Sequence, residues 1–365
     1  MRIPLFKPHV GFQEYKAVLR VMRSGVLSRG NEIKKFEEEF ASYVGKKYAV
    51  SLNSGTSALH VLVRALGWKK GDEVITTAFS YVASANSLLF EGVTPVFVDI
   101  NPVTLNIDIE KIEEKITEKT RGLLLVHIFG MPCESEKVLE LKRKYNLQII
   151  EDACEAIYPA SLEFAVGKVG EGIVYGFHQN KQLTTAGEGG MIVTDDEQLA
   201  LKCKALRDQG RSERADWLKH VILGFNMRMT ELQAAFGAAQ LSKMNRLLRK
   251  REKIANKYHN GLIGLKGVVL PFMELKRSWF SFYIIVANEK IRELLYTYLK
   301  EKGIDSSIYY FPPIYRFPMY ENIKFEELPV TEEISKKLLV LPLFDKMSNL
   351  QINTIVHNIR KFFYR

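Results

Sequence analysis

Short runs of Val, Ile and Leu alternate with stretches of helical spacing from about Lys47 onward, and few architectures accept that alternation. "KYAVSL", "DEVITT", "TPVFVDI", "RGLLLVHIFG" and "LQIIEDA" read as strands. Between them, "TSALHVLVRALGW", "VASANSLLFEG" and "ESEKVLELKRKYN" carry apolar residues at helical spacing. Strands that are apolar throughout have no water-facing side. They belong to a parallel sheet covered by helices on both faces. The expected class is therefore α/β, with a mostly parallel central sheet. Ahead of it, "QEYKAVLRVMRSG" reads as a helix and "VLSRGNEIKKFEEEF" as a loop wrapping across the sheet. From Thr230 the pattern turns strongly helical. "WFSFYIIVA", "IRELLYTYLKEKG" and "LQINTIVHNIRKFF" then suggest a smaller α+β unit. A boundary near Asn245 gives a large domain over 1–245 and a small C-terminal domain over 246–365.

The chain has 365 residues, 47% of them hydrophobic, which is ample for a packed core. No stretch reaches the roughly 18 to 20 apolar residues that span a bilayer. The opening "MRIPLFKPHVGFQEYKAV" lacks the apolar segment of a secretory signal. Cys133, Cys154 and Cys203 are too few and too scattered for a disulfide framework or a zinc site. A cytoplasmic protein with neither membrane nor metal is the expectation. The net charge of +10 admits nucleic acid or an anionic small substrate as partner. Its densest cluster, "NRLLRKREK", sits in a helical pattern with Leu247, Leu248 and Ile254 on the apolar side. It reads as a solvated helix face. Charges elsewhere are mixed in sign, which argues against a nucleic-acid groove.

Four features lie at strand ends, where open α/β sheets collect ligands. In "SLNSGTSALH", Ser54, Gly55, Thr56 and Ser57 start a helix; free N–H groups there suit a phosphate, and simple capping is the alternative. In "TTAFSYVAS", Phe79 and Tyr81 follow a strand, to pack or to stack on a flat ring. In "QIIEDACEA", Glu151 and Asp152 close an apolar strand, with Glu155 three residues on. A buried carboxylate there needs a cation or an N-capping duty. In "VYGFHQNKQLTTAGEGGMIVTDD", Lys181 sits between two strand-like runs, and Gly187, Gly189 and Gly190 leave the backbone open. Such a lysine faces solvent or bonds an aldehyde. A phosphate cradle, an aromatic plate, a carboxylate and a lysine together are the four handles of pyridoxal 5'-phosphate. Here they are Gly55 with Thr56, Tyr81, Asp152 and Lys181.

The same residues resemble the DegT/DnrJ/EryC1/StrS group, fold-type-I aminotransferases that act on nucleotide-linked keto sugars. The resemblance runs through "SGVLSRGNEIKKFEEEFA", "NSGTSALHVLVRALG", "GDEVITTAFSYVASANSLLFEGVTPVFVDI", "VHIFGMPCE", "IIEDACEA", the lysine block, "GFNMRMTELQAAFGAAQL" and "LPLF". It implies that Lys181 bonds the cofactor and Asp152 faces the pyridine nitrogen. It further implies Glu155 near the ring hydroxyl, Tyr81 stacked on the ring, and Ser54, Gly55, Thr56 and Ser57 around the phosphate. Asn226 would reach the phosphate of a neighbouring subunit, which implies a homodimer with shared active sites. Arg228 would help hold the substrate diphosphate. The implied activity is transfer of an amino group, from glutamate, to a nucleotide-linked keto sugar. Alternatives are a sugar dehydratase or amino-ring synthase of the same family, or a non-catalytic cofactor-binding regulator. The retained Lys181 disfavours a dehydratase with histidine at that position. Gly176 departs from a serine that many members have five residues before the lysine. Ser307 and Tyr315 depart from Arg and from His or Ser, on the expected substrate side.

Overall fold

The computed structural model describes residues 2–161, 166–212, 219–274 and 276–364. Its centre is a seven-stranded sheet. The strands are β1 (Tyr48–Leu52), β2 (Glu73–Thr77), β3 (Thr94–Val98), β4 (Thr120–Val126), β5 (Gln148–Asp152), β6 (Gly172–Gly176) and β7 (Gly190–Thr194). Their order is β1-β7-β6-β5-β4-β2-β3. All strands but β7 run the same way, and β7 is antiparallel to both its neighbours. The reason lies in its connection. The segment that joins β6 to β7 contains no helix, whereas parallel neighbours are usually reached through a crossover helix.

The buried runs anticipated from sequence form the core: Val50, Leu52, Val74, Leu124, Ile150, Val174 and Ile192 share one cluster with the helix Gly55–Leu66. On the opposite face, Ile75, Leu123 and Ile149 pack with Val138 and Leu141 of the helix Ser135–Tyr145. Both faces are thus covered.

The segment "VLSRGNEIKKFEEEF" is not a loop throughout. From Asn31 to Val44 it is a helix. Ile33, Phe36 and Phe40 fall at three- and four-residue spacing. They bury one stripe, with both phenylalanines edge-on or tilted against Phe177. The helical stretch after Thr230 is two helices, Glu231–Leu241 and Met244–Leu262, broken at Ser242 and Lys243. The second helix serves two cores. Met244 and Leu247 pack beneath the large sheet, while Ile254, Ala255 and Tyr258 pack on a smaller one. That smaller sheet is antiparallel, in the order β10-β9-β8, from β8 (Val268–Val269), β9 (Phe282–Val286) and β10 (Leu338–Leu341). The chain start reaches the same core, where Ile3 bridges to Ile304 beside the sheet.

The basic cluster at 245–253 is not wholly a solvated face. Arg251 lies on the buried stripe, four residues after Leu247. Its guanidinium donates to the carbonyls of Trp279, Phe280 and Leu343. Burial pushes its pKa down to about 10. No helix among the described residues is long and apolar enough to cross a membrane.

Candidate active site

Six parallel strands bring their C-terminal ends to one edge: Leu52, Thr77, Val98, Val126, Asp152 and Gly176. The candidate residues from Ser54 to Lys181 lie at one of those ends or a few positions after it. The pleat then separates Glu151 from Asp152, because adjacent strand residues point to opposite faces. Glu151 is fully buried and accepts from His127 Nε2 (3.0 Å) and from the backbone N–H groups of Gly167 (2.7 Å), Val169 (3.1 Å) and Gly170 (2.8 Å). His127 Nδ1 accepts the Cys133 N–H, so Nε2 carries the proton and donates to Glu151. Burial opposes the charge on Glu151, yet His127 and these N–H groups hold its carboxyl below the usual range.

Asp152 is 4% exposed and receives less. Ser84 donates its hydroxyl at 2.7 Å and Cys154 its N–H at 3.1 Å. Both donors are neutral. A carboxylate this buried, at the ligand edge of a sheet and with no cation paired to it among the described residues, fits a positively charged ring nitrogen. Sequence reading missed Ser84. It lies in the helix Ala83–Leu89, three residues after Tyr81, and is held in turn by Ser80 at 3.0 Å.

Lys181 does not point into bulk water. Its side chain is 15% exposed, with Nζ 3.5 Å from Glu155 Oε1 and 4.2 Å from the centre of the Phe280 ring. Glu155 is therefore the residue that meets the lysine. Its other oxygen accepts the Phe129 N–H (2.9 Å), and Tyr310 donates its hydroxyl to Oε1 (2.5 Å). Phe129 adopts a left-handed backbone (φ 52°), which aims that N–H inward. Gln182, next to the lysine, ties the same turn down by donating to the carbonyl of Glu155 (2.7 Å). Phe280 and Tyr310 were invisible from sequence, since both arrive from the C-terminal part of the chain.

The Gly55–Leu66 helix starts beside this group. Ser54 caps it, accepting from the Ser57 N–H (3.1 Å), and its hydroxyl lies 2.9 Å from that of Ser57. The Ala58 N–H goes to the Ser54 carbonyl. That leaves Gly55 and Thr56 as the unclaimed donors of the first turn, so capping and anion binding coexist here. The approach is close. A side chain on Gly190 would lie 2.2 Å from the Ser54 carbonyl oxygen, so only glycine lets β7 pass this turn. Gly176 has a similar account. A Cβ there would meet Cys154 Sγ at 3.0 Å, so the thiol takes the room that a serine at 176 would need. The residues present, a lysine amine, an under-donated aspartate and a glycine-lined helix start, fit pyridoxal phosphate.

The remaining candidates scatter. Phe79 is buried and packs edge-on to Tyr310 and Phe129, whereas Tyr81 is 65% exposed with its ring available to a ligand. Asn226 is exposed, and no hydrogen bond joins it to Lys181, Asp152 or Glu155 among the described residues. Arg228 donates to Asp208 at 2.6 Å, and Arg29 pairs with the same carboxylate. Tyr315, expected on the substrate side, is instead buried beside Phe97 and donates to Glu332 (2.6 Å). Ser307 bonds through its backbone to Val340 of β10.

This chain belongs to the DegT/DnrJ/EryC1/StrS aminotransferase family, whose sequence profile matches residues 8–360. It is 37% identical to the GDP-perosamine synthase of Caulobacter vibrioides over 362 residues, covering 97% of this chain and 96% of that one. Among solved structures it is similar to Helicobacter pylori PseC, an aminotransferase involved in the biosynthesis of pseudoaminic acid. The TM-score is 0.94 at 31% identity, over 100% of both chains. NtdA of Bacillus subtilis, solved with bound cofactor PMP, gives a TM-score of 0.91 at 29% identity, over 98% of this chain and 83% of that one.

Proposed function

We propose that this chain is an enzyme that transfers an amino group, from glutamate, to a keto carbon of a nucleotide-linked sugar, with pyridoxal phosphate as cofactor. Family membership and the nucleotide-sugar activity named for the Caulobacter vibrioides relative support the reaction class. The observation that carries it is the convergence of Lys181 and Glu155 with Asp152, all shielded, at one sheet edge. Bound there, the cofactor supplies an aldehyde that bonds amines and a protonated ring that accepts electrons.

The residues then have distinct duties. The Lys181 amine would hold the cofactor and would take up and return the proton at the substrate carbon bearing the amino group. The Asp152 carboxylate pairs with the charged ring nitrogen, and Ser84 keeps its oxygens aimed. Glu155 faces the ring hydroxyl. Tyr81 covers the ring. The Gly55 and Thr56 N–H groups, with the Ser54 and Ser57 hydroxyls, hold the phosphate. Arg228 meets the sugar diphosphate by exchanging Asp208 for it.

A homodimer belongs to the same reading, with Asn226 serving the neighbouring copy. Phe12, Tyr15, Leu19 and Met22 form an exposed apolar stripe on the helix Phe12–Ser24, whose other face is already buried. Val221, Ile222 and Leu223, close to Asn226 in sequence, are exposed as well. A cytoplasmic location is supported by Cys133, Cys154 and Cys203, all free thiols. The division into 1–245 and 246–365 is supported by the two cores that meet along the helix Met244–Leu262.

The test is a screen of keto-sugar nucleotides with glutamate, reading aminated product by mass. Wild-type protein forms product. Lys181→Ala loses about 10²–10⁴-fold in rate together with the visible absorbance of the bound cofactor. A Lys181→Ala protein that still aminated sugars at the wild-type rate would end the proposal. Sedimentation at micromolar concentration reads the dimer; a single monomeric species would remove the role given to Asn226.

A further inference from the structure

One carboxylate joins four segments of the chain. Glu155 follows the end of β5. Its Oε2 is fixed by the Phe129 N–H from the turn after β4, and its Oε1 is shared by the Lys181 ammonium and the Tyr310 hydroxyl. Tyr310 comes from the segment that pairs with β10 of the small sheet through Ser307. Its ring is set independently of its hydroxyl, edge-on to Phe79 (5.4 Å) and stacked on Phe129 (5.9 Å) and Tyr309 (5.3 Å). The phenol is thus held rigidly at 2.5 Å from the same oxygen that faces the lysine. A short O–H···O⁻ bond draws charge off that oxygen.

We propose that Tyr310 is a positioning residue that acts on Lys181 through Glu155: by occupying Oε1, its hydroxyl weakens the carboxylate as a counter-ion and keeps the lysine amine available. This rests on the reading of Lys181 as the reacting amine. Without the phenol, Glu155 stays anchored by Phe129 but meets the ammonium with its full charge. The ammonium is then harder to discharge, and the amine reacts more slowly at neutral pH. The other titratable groups facing Glu155 are Tyr309 from the same C-terminal segment and Cys154 from its own; Lys7, His9, Arg251 and Asp345 line the pocket on the lysine's side. None of these donates to Oε1 among the described residues. Burial and Glu155 both push the Tyr310 hydroxyl well above its ordinary value, so it remains a donor throughout the working range.

The experiment labels Lys181 with acetic anhydride in the full chain, freed of carbonyl ligands by dialysis against hydroxylamine. Peptide mass spectrometry reads the rate at each pH. Tyr310→Phe keeps the ring and removes the hydroxyl. The expected result is labelling about tenfold slower at pH 7, roughly the effect of one pH unit, converging on the wild-type rate in strong alkali. Tyr309→Phe, which leaves the Tyr310 hydrogen bond intact, should label as wild type. Equal rates for Tyr310→Phe and wild type overturn the inference. So does an equal loss in Tyr309→Phe, or a loss that persists unchanged at high pH, since loosened packing would give those. Labelling needs neither cofactor nor sugar. Failure to bind pyridoxal phosphate, read separately by absorbance in untreated protein, counts against the proposed function alone.

Discussion

Glu151 and Asp152 are neighbours in the chain, equally buried to within a few percent, and opposite in their circumstances. Among the described residues Glu151 has four donors, one from His127 and three from the backbone between Gly167 and Gly170. Asp152 has two among them, both neutral. The first carboxylate is complete without a ligand and holds a loop to the sheet. The second has acceptor capacity left over and lies on the side where Ser84 and Tyr81 begin their helix. Burial alone does not distinguish a structural acid from one that awaits a partner; the inventory of donors does.

Three changes probe that contrast. Asp152→Asn should have the largest effect on turnover, about 10²–10³-fold, because under the proposed assignment the ring nitrogen would lose its counter-charge. The melting temperature should hardly move, since the amide can keep the Ser84 and Cys154 contacts. A variant as active as wild type would erase the distinction from the functional side. Glu151→Ala should do the reverse. It leaves the His127 N–H and three backbone N–H groups without their acceptor, at about 1–3 kcal/mol for each donor left dry, measurable as a lower urea midpoint, while the folded fraction transaminates normally. A normal midpoint would erase the distinction from the structural side. The smallest expected effect is on acidification. Glu151 has a folded-state pKa below its unfolded value of 4.5, so its contribution is fully present above that value. It is lost as pH falls through the folded pKa. Urea midpoints of wild type should therefore decline below about pH 4.5, and Glu151→Ala should lose less over the same interval.

Continuous apolar runs carried the sheet because such runs have one use, and the positions of β1 to β5 follow from them. The helix Asn31–Val44 was hidden by its charges: "NEIKKFEEEF" looks solvated until Ile33, Phe36 and Phe40 are seen to share a side. At the sheet edge, the gathering of Lys181, Asp152 and Glu155 was legible because they stand where strands stop. Ser84 was not, since a serine in "VASAN" carries no local mark of its contact with a residue 68 positions later. Tyr310 and Phe280 were beyond any local pattern, because only the packing of the small sheet against the large one brings them to the lysine. Tyr315 shows the converse. A departure in a substrate-side motif reads as specificity in one dimension, and the fold buries it beside Phe97.

The contact between Cys154 and Gly176 imposes an order on evolutionary or engineered change. A Cβ at 176 would stand 3.0 Å from the Cys154 sulfur and 3.2 Å from its Cβ, so a hydroxymethyl group enters there only if residue 154 gives by a few tenths of an ångström. Trimming 154 to alanine first removes the nearer of those two contacts and leaves the Cβ at 3.2 Å. The two sites are therefore coupled in sequence drift: one order of change relieves the tighter contact before the newcomer arrives, and the other meets both at once.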